Sequence, residues 1–536
     1  MPSMIDVIIV GSGPAGVSAA FPLVEAGLKV LMLDVGEKGV LIPKGLNLSD
    51  VRQKSNDQWR LFLGKNFSAL DDKKPSSPKC RAPNNEFVFE GFHERYAVET
   101  ENFNAVGSLA SGGLSNAWGA GVSCFDDNDL KDFPISTQDI QASYKSVAER
   151  MSISGEADDM ADFHGDFYSL LPPLKLETNA DLLLKRYKRR PKVANSRGIV
   201  FGRTRHAVKS TGNAQNGACQ SCGLCLWGCA YGSIYSAQHD LDRLKRFDNF
   251  TYQDETYVER FVKTGNTIKV NARSTLDDRP LSFHAAKLVM AAGTLASAKI
   301  VLTSLGMTNH EIRVLSTPIV AFAISMPERV GRTVNSDFFS MGQLSFRVDD
   351  ASAKEGYAFG SIMPAGSILS NEYIKHVPLS YPLSRSLIRF LQPSMLLANC
   401  FLSSDYGNHY MQVTKSGEVK IRGTYRSNIG SVIAELRSKL VATFALYGIA
   451  VLPGGFQVTM PGEDIHYAGT LPMKDYPGAA ELYKSGELAG VEGVYVVDGA
   501  ALSTLPPKSH TFTIMANANR IAAQLVVDHI EGKAIS

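Results

Sequence analysis

Ile5-Asp-Val-Ile-Ile-Val10-Gly11-Ser-Gly13-Pro-Ala-Gly16 is the stretch that decides the fold of this 536-residue chain. Its apolar, β-branched opening predicts a buried strand, the glycines a tight turn, and the segment up to Gly27 a helix. Lys29–Asp34 then reads as a second strand ending in an acid. In this β–α–β setting the first glycine permits the turn. The second lets the backbone approach a pyrophosphate, and the third lets the helix pack on the strand. The helix N-terminus offers N–H donors and a positive dipole end to phosphates. Asp34 is the expected acceptor for ribose hydroxyls. Pro22, inside the helix, predicts a kink. The motif by itself leaves FAD and NAD both open.

Working outward, residues 36–100 are polar and punctuated by Asn56-Asp57, Lys73-Lys-Pro-Ser-Ser-Pro78 and Ala82-Pro-Asn-Asn85. They read as a loop-rich excursion. Gly107–Gly121 is rich in Gly and Ser and is expected to approach the nucleotide. Helical periodicity over 130–215 includes the basic run Lys185–Arg190, which reads as a solvated helix face. A docking patch for an acidic electron-transfer partner is the alternative reading of that run. Lys287-Leu-Val-Met-Ala-Ala292-Gly293-Thr is a strand and a glycine turn before another helix, as a chain re-entering a nucleotide-binding domain requires. Residues 310–460 mix strand and helix patterns and are expected to form a second α+β domain facing the substrate.

Composition narrows the function classes. A net charge of +2 argues against a polyanion-binding protein, so no nucleic-acid partner is expected. No uninterrupted apolar run reaches membrane-spanning length. The first ten residues lead straight into a strand without a basic n-region, so a cytoplasmic location is the expectation. Export in company with a signal-bearing partner stays compatible with it.

Seven cysteines, an odd number, do not suggest a secreted disulfide framework. Four fall in Cys219-x-x-Cys222-x-x-Cys225-x-x-x-Cys229, with the spacing of ferredoxin-type iron–sulfur ligation. Ala230 replaces the proline that usually follows such a run. A structural zinc, a disulfide and free thiols remain open alternatives.

At the other end lie His466-Tyr-Ala-Gly-Thr-Leu-Pro-Met473, Val494-Tyr-Val-Val-Asp498-Gly499 and Ser509-His510-Thr-Phe. Two histidines flank a strand that ends in an acid and a glycine, and a helix follows. Together with the N-terminal motif, Gly112-Gly113-Leu-Ser115-Asn116-Ala-Trp118-Gly119 and Ala292-Gly293, this order resembles the glucose–methanol–choline (GMC) family of flavin alcohol oxidoreductases, nearest its pyranose- and glucose-type members.

The resemblance implies FAD, with residues 1–309 and 461–536 forming its domain and 210–240 an inserted cysteine segment. Ala117 stands where pyranose oxidases carry the histidine that bonds the flavin, so the FAD is expected to be non-covalent. Asp498 and Gly499 match the site that contacts the flavin diphosphate or ribityl chain. His466 matches the family's base and His510 its oxygen-holding partner; the other nine histidines are expected to be structural, with His239 the one to re-examine. The implied reaction is oxidation of an alcohol, a sugar or polyol hydroxyl, with hydride transfer to flavin N5. Cys219, Cys225 and Cys229 match the C-x5-C-x3-C spacing of family members with a [3Fe-4S] cluster, and Cys222 would complete a [4Fe-4S] cluster. Electrons would then pass to an acceptor protein or a quinone. The alternatives are an oxygen-using oxidase with structural cysteines, a non-catalytic flavoprotein subunit, and an NAD-dependent enzyme. Tyr406, His409 and Tyr410 are candidate lining for a carbohydrate site.

Overall fold

The computed structural model describes residues 5–535 apart from 41, 55–56, 72–73, 75–76, 350–355, 368–373 and 375–376. Seven of these positions fall in the 36–100 excursion, so part of its Lys73–Pro78 stretch lies outside the described residues.

Ile5–Val10 is a strand at the centre of a seven-stranded sheet. It pairs in parallel with Val30–Leu33 on one side and with Pro280–Met290 on the other. Phe250–Gln253 extends the sheet beyond Val30–Leu33, and Val494–Val496 pairs in parallel with Leu288–Met290. Thr267–Ser274 and Thr256–Thr264 complete it as antiparallel strands. The parallel centre is apolar on both faces, as a sheet covered by helices must be. Ile8, Val10 and Leu31 enter one core, while Val7, Ile9 and Met32 enter another beneath the helix Pro14–Glu25. That helix continues through Pro22, which sits in its last turn. The C-terminal helix Thr511–Ile535 packs Ala518, Ile521 and Leu525 into the same core as Val17, Phe21 and Val24. The two ends of the chain therefore build one layer.

A second seven-stranded sheet is antiparallel, ordered 450–451, 319–325, 395–401, 357–364, 344–349 and 199–203, with 457–458 beside 319–325. Its edge strand Ile199–Arg203 and the helix Thr178–Arg189 come from upstream of residue 310 and share its core. Strand pleating sends alternate residues to opposite faces. Val320, Phe322, Ile324, Leu396 and Ala398 point into the core beneath helix Ile429–Leu446. Ala321, Ala323, Leu397, Asn399 and Phe401 face the other way, onto a large cavity. The fold is thus α/β, with a Rossmann-like nucleotide-binding part and a second sheet facing it across that cavity.

The excursion is not an open loop. Short helices over Leu48–Lys54, Gln58–Leu63, Pro78–Arg81 and Glu86–Phe89 bury Leu48, Val51, Phe62 and Ala82 against Leu224, Leu226 and Trp227 of the cysteine segment. The basic run proves to be an ion-paired helix face: Lys185 meets Asp181, Arg186 meets Glu328 and Lys188 meets Glu156. No helix among the described residues is long and apolar enough to cross a membrane.

Candidate active site

One cavity of about 990 Å³ runs from the glycine turn to the two C-terminal histidines. Ligand sites commonly span about 300–1,000 Å³, so this is room for a large cofactor and a small substrate. At one end stand Gly11, Ser12, Gly13 and the start of the helix. Gly11 has φ +100°, and a Cβ there would lie 2.4 Å from the Ala291 carbonyl oxygen. A Cβ on Gly16 would strike the Gly11 carbonyl at 2.0 Å, so Gly16 serves packing and does not line the cavity. A Cβ on Gly13 would meet nothing within 4 Å, which leaves its backbone open to a ligand. The crowding at Gly11 and Gly16 and the open space at Gly13 are compatible with the turn, packing and close-approach duties the spacing implies.

Asp34 lines the same end, and its Oδ2 accepts hydroxyl hydrogen bonds from Ser12 and from Tyr252, the latter at 3.1 Å. Burial pushes its pKa up to about 6 against the pull of those two donors. Ser12 Oγ also accepts from the Gly112 N–H at 2.9 Å, which docks the Gly107–Gly121 segment on the turn. Gly113 and Ser115 line the cavity, whereas Gly112 and Asn116 act behind it. Asn116 donates to the Ser111 and Gly113 carbonyls and accepts from Ser236, fixing the segment to the next helix. Ala117 faces the cavity with a methyl group and offers no nucleophile for a covalent link.

Ala292, Gly293, Asp498 and Gly499 form the middle of the wall. Asp498 Oδ2 accepts from the Gly293 N–H at 2.9 Å and from Ser297 Oγ at 2.5 Å, while Oδ1 accepts from the Ala500 N–H at 3.0 Å. The carboxylate therefore clamps two distant turns together.

At the far end the rings of His466 and His510 lie 4.9 Å apart, nearly perpendicular. The two residues are 44 positions apart and are brought together by the strand Val494–Val496 between them. His510 precedes the C-terminal helix and is buried, and its Nδ1 has no hydrogen-bond partner among the described residues. Burial pushes its pKa down to about 4. His466 is held well below the ordinary imidazole range by burial, then by His510 and by Lys79. Its Nδ1 lies 3.7 Å from Asp464 Oδ2, beyond hydrogen-bond length. Asp464 is fixed by the Ser316 hydroxyl at 2.6 Å and by the Thr317 N–H and hydroxyl at 2.9 and 2.6 Å. Burial raises its pKa to about 6. Phe401 packs on His466 at 5.3 Å from the second sheet. Lys508 anchors the loop before His510, its ammonium fully buried between Asp126 at 2.9 Å and Asp129 at 2.6 Å.

The cysteine segment lies beside the cavity, where Leu226 reaches its wall. All four thiols are free, and among the described residues no group of three or more His, Cys, Asp or Glu side chains is placed to hold a metal ion. Each thiol has a local environment of its own. The Ser233 N–H donates to Cys229 Sγ at 3.2 Å, and Ser340 bonds the Cys225 thiol. Burial raises the pKa of Cys222, pushes that of Cys219 up to about 11 and drives that of Cys225 well above the usual thiol range. The thiols also act on one another: Cys229 and Cys222 raise Cys219, and Cys222 and Cys219 raise Cys225. A cluster would need them as thiolates.

Two further corrections concern aromatic and imidazole side chains. Tyr406, His409 and Tyr410 do not line the cavity; His409 is buried against Phe103 and Tyr425. His164 and His206, expected to be structural, do reach the cavity wall, and among the described residues neither Nε2 has a partner. Burial pushes their pKa values down to about 3 and about 4. Neither carries a flanking motif that would have marked it. His239 is a capping partner, its Nδ1 accepting from the Ser236 N–H at 3.5 Å.

Comparison with known proteins agrees with this architecture. Residues 5–105 match the family model described as pyridine nucleotide-disulphide oxidoreductase. No curated protein matches the chain. The crystal structure of pyridoxine 4-oxidase from Mesorbium loti is similar over 97% of this chain and 98% of that one, with a TM-score of 0.58 at 13% identity. The fold is therefore shared along nearly the whole length, and the family match falls on the N-terminal nucleotide-binding part.

Proposed function

We propose that this chain is an FAD-dependent oxidoreductase that oxidises a CH–OH group to a carbonyl. One observation carries the reading: two imidazoles 4.9 Å apart, His510 buried and His466 half-buried, share a cavity with a dinucleotide cradle. The open backbone at Gly13, the carboxylates of Asp34 and Asp498 and the orphaned Nδ1 of His510 fit a bound flavin dinucleotide with a substrate beyond it. When bound, FAD supplies the acceptor for the carbon-bound hydrogen as hydride.

The side chains do the rest. His466 is neutral near pH 7, so it can take the hydroxyl proton. Its Nδ1 faces Asp464, which leaves Nε2 for the substrate. Asp464 is close enough to steady the imidazolium that forms. His510 holds the substrate oxygen as charge develops on it. Phe359, Phe401 and Leu397 exclude water on the second sheet, while Asn399, Ser361 and Gln457 offer polar contacts to a sugar- or polyol-sized substrate.

No step is routed through the cysteines. The acceptor, whether a protein, a quinone or oxygen, collects electrons from the flavin, either directly or through a cluster that Cys219, Cys222, Cys225 and Cys229 would hold. An oxidase is the second reading, favoured by the fold shared with a protein named as an oxidase. The test is anaerobic: purified protein is expected to be yellow and to bleach on addition of an alcohol. A colourless protein, or flavin that no alcohol bleaches, would reject the proposal. Peroxide on re-aeration separates the oxidase from the dehydrogenase.

A further inference from the structure

Among the described residues six acidic or basic side chains, leaving histidines aside, line the cavity: Asp34, Lys79, Glu463, Asp464, Asp498 and Lys508. Asp34, Asp464 and Asp498 are each held by hydroxyl or amide donors, and Lys508 sits between two carboxylates. Glu463 is engaged as well. Lys79 is different: among the described residues its ammonium has neither an ion-pair nor a hydrogen-bond partner. It is half-buried, and desolvation lowers its pKa.

Its position is built. Lys79 stands on the short helix Pro78–Arg81. Buried Asn85 donates to the Lys79 carbonyl at 3.0 Å and to the Leu226 carbonyl at 3.2 Å, clamping that turn to the opposite wall. Lys79 Nζ lies 3.6 Å from where a Cβ on Gly119 would stand, so the missing side chain at 119 leaves the ammonium its place. Its charge reaches His466 and disfavours protonation there.

A partly desolvated, unpaired ammonium is costly. Next to a catalytic base it is also counterproductive, since it weakens the base. Both penalties vanish if the substrate brings an anion. Pairing with Lys79 would offset the desolvation and cancel the field at His466.

We propose that Lys79 recognises an anionic group on the substrate, and that the preferred substrates are alcohols bearing a carboxylate, that is, hydroxy acids. This rests on the alcohol-oxidising reading of the site. An Lys–carboxylate contact of this kind is charge-assisted and bears on substrate discrimination more than on the chemical step.

The experiment compares flavin reduction by gluconate and glycerate with that by glucose and glycerol, using the flavin-loaded protein and its Lys79→Met and Lys79→Arg variants. In Lys79→Met the ratio of kcat/KM for acid over neutral partner is expected to fall about ten- to a hundredfold, and Lys79→Arg is expected to retain most of it. An unchanged ratio overturns the proposal. So does a lowered flavin reduction potential in Lys79→Met with discrimination intact, which would assign the charge to the cofactor. Acetate and benzoate titrated against the flavin spectrum give a readout independent of turnover. Weaker anion binding in Lys79→Met supports the site even if no alcohol bleaches the flavin, and equal binding rejects it.

Discussion

The glycine cradle and the cysteine segment both border the same cavity, and both announce themselves by spacing. The cradle's backbone has the shape its spacing implies; the cysteine spacing leaves the placement of its side chains open. At Gly11, Gly13 and Gly16 the function lies in the backbone, and contacts of 2.4 and 2.0 Å exclude side chains at two of the three. A strand and the helix that follows it suffice to position such a motif. The four cysteines depend on where side chains point. Local bonds to Ser233 and Ser340 hold two of the thiols, and burial keeps Cys219, Cys222 and Cys225 protonated. Spacing alone does not make ligands converge.

The sharpest test of that contrast is at the histidine end of the cavity. His466→Ala is expected to slow flavin reduction by about 10²–10⁴-fold while leaving flavin content unchanged, measured by stopped-flow absorbance. The pH profile adds a sign. Because burial places the folded pKa of His466 below its unfolded value, the neutral base persists across pH 6–8 and the rate should not fall through pH 6.5. The same depression at His510 contributes stability that is complete above pH 6.5 and is lost as pH falls toward about 4. Urea midpoints at pH 7 and pH 5 would read this His510 contribution, which Asp34 and Asp464, with raised pKa values, oppose over the acidic range.

Next in size is Lys508→Met. It strands the Asp126 and Asp129 carboxylates, of which Asp129 is buried, and is expected to cost about 3–5 kcal/mol in urea unfolding. Gly13→Val should unfold normally, since nothing crowds that Cβ, yet weaken flavin binding by about 1–3 kcal/mol in a fluorescence titration. Loss of the fold there would show that the glycine serves packing instead. The smallest effect belongs to Cys222→Ser, expected to change flavin reduction by less than about twofold and stability by roughly 0.5 kcal/mol. Three or four irons per chain, with acid-labile sulfide, in protein purified without air would erase the contrast and show that these thiols hold a cluster.

Much of the nucleotide-binding part was legible in the sequence. The strand–turn–helix at Ile5–Gly16, the re-entry at Gly293 and the acid at Asp498 are local patterns whose conformations the chain sets over a few residues. The pairing of His466 with His510 was legible through their flanking motifs and the order of elements. Other features were not. The edge strand at Ile199–Arg203 joins a sheet whose other strands begin more than a hundred residues later. His164 and His206 reach the cavity from segments with no marker, and Lys79 lies in a stretch that reads as a polar loop.

Sequence by itself determined where the backbone must turn, which faces are apolar and which residue types stand at the motif positions, because those depend on steric and hydrophobic patterns between near neighbours. Only the tertiary structure decided that one lysine faces the cavity without a counter-ion among the described residues while another is neutralised by two carboxylates, and how deeply each thiol is buried. Charge pairing and ligand convergence depend on distances between distant segments, and packing alone fixes those.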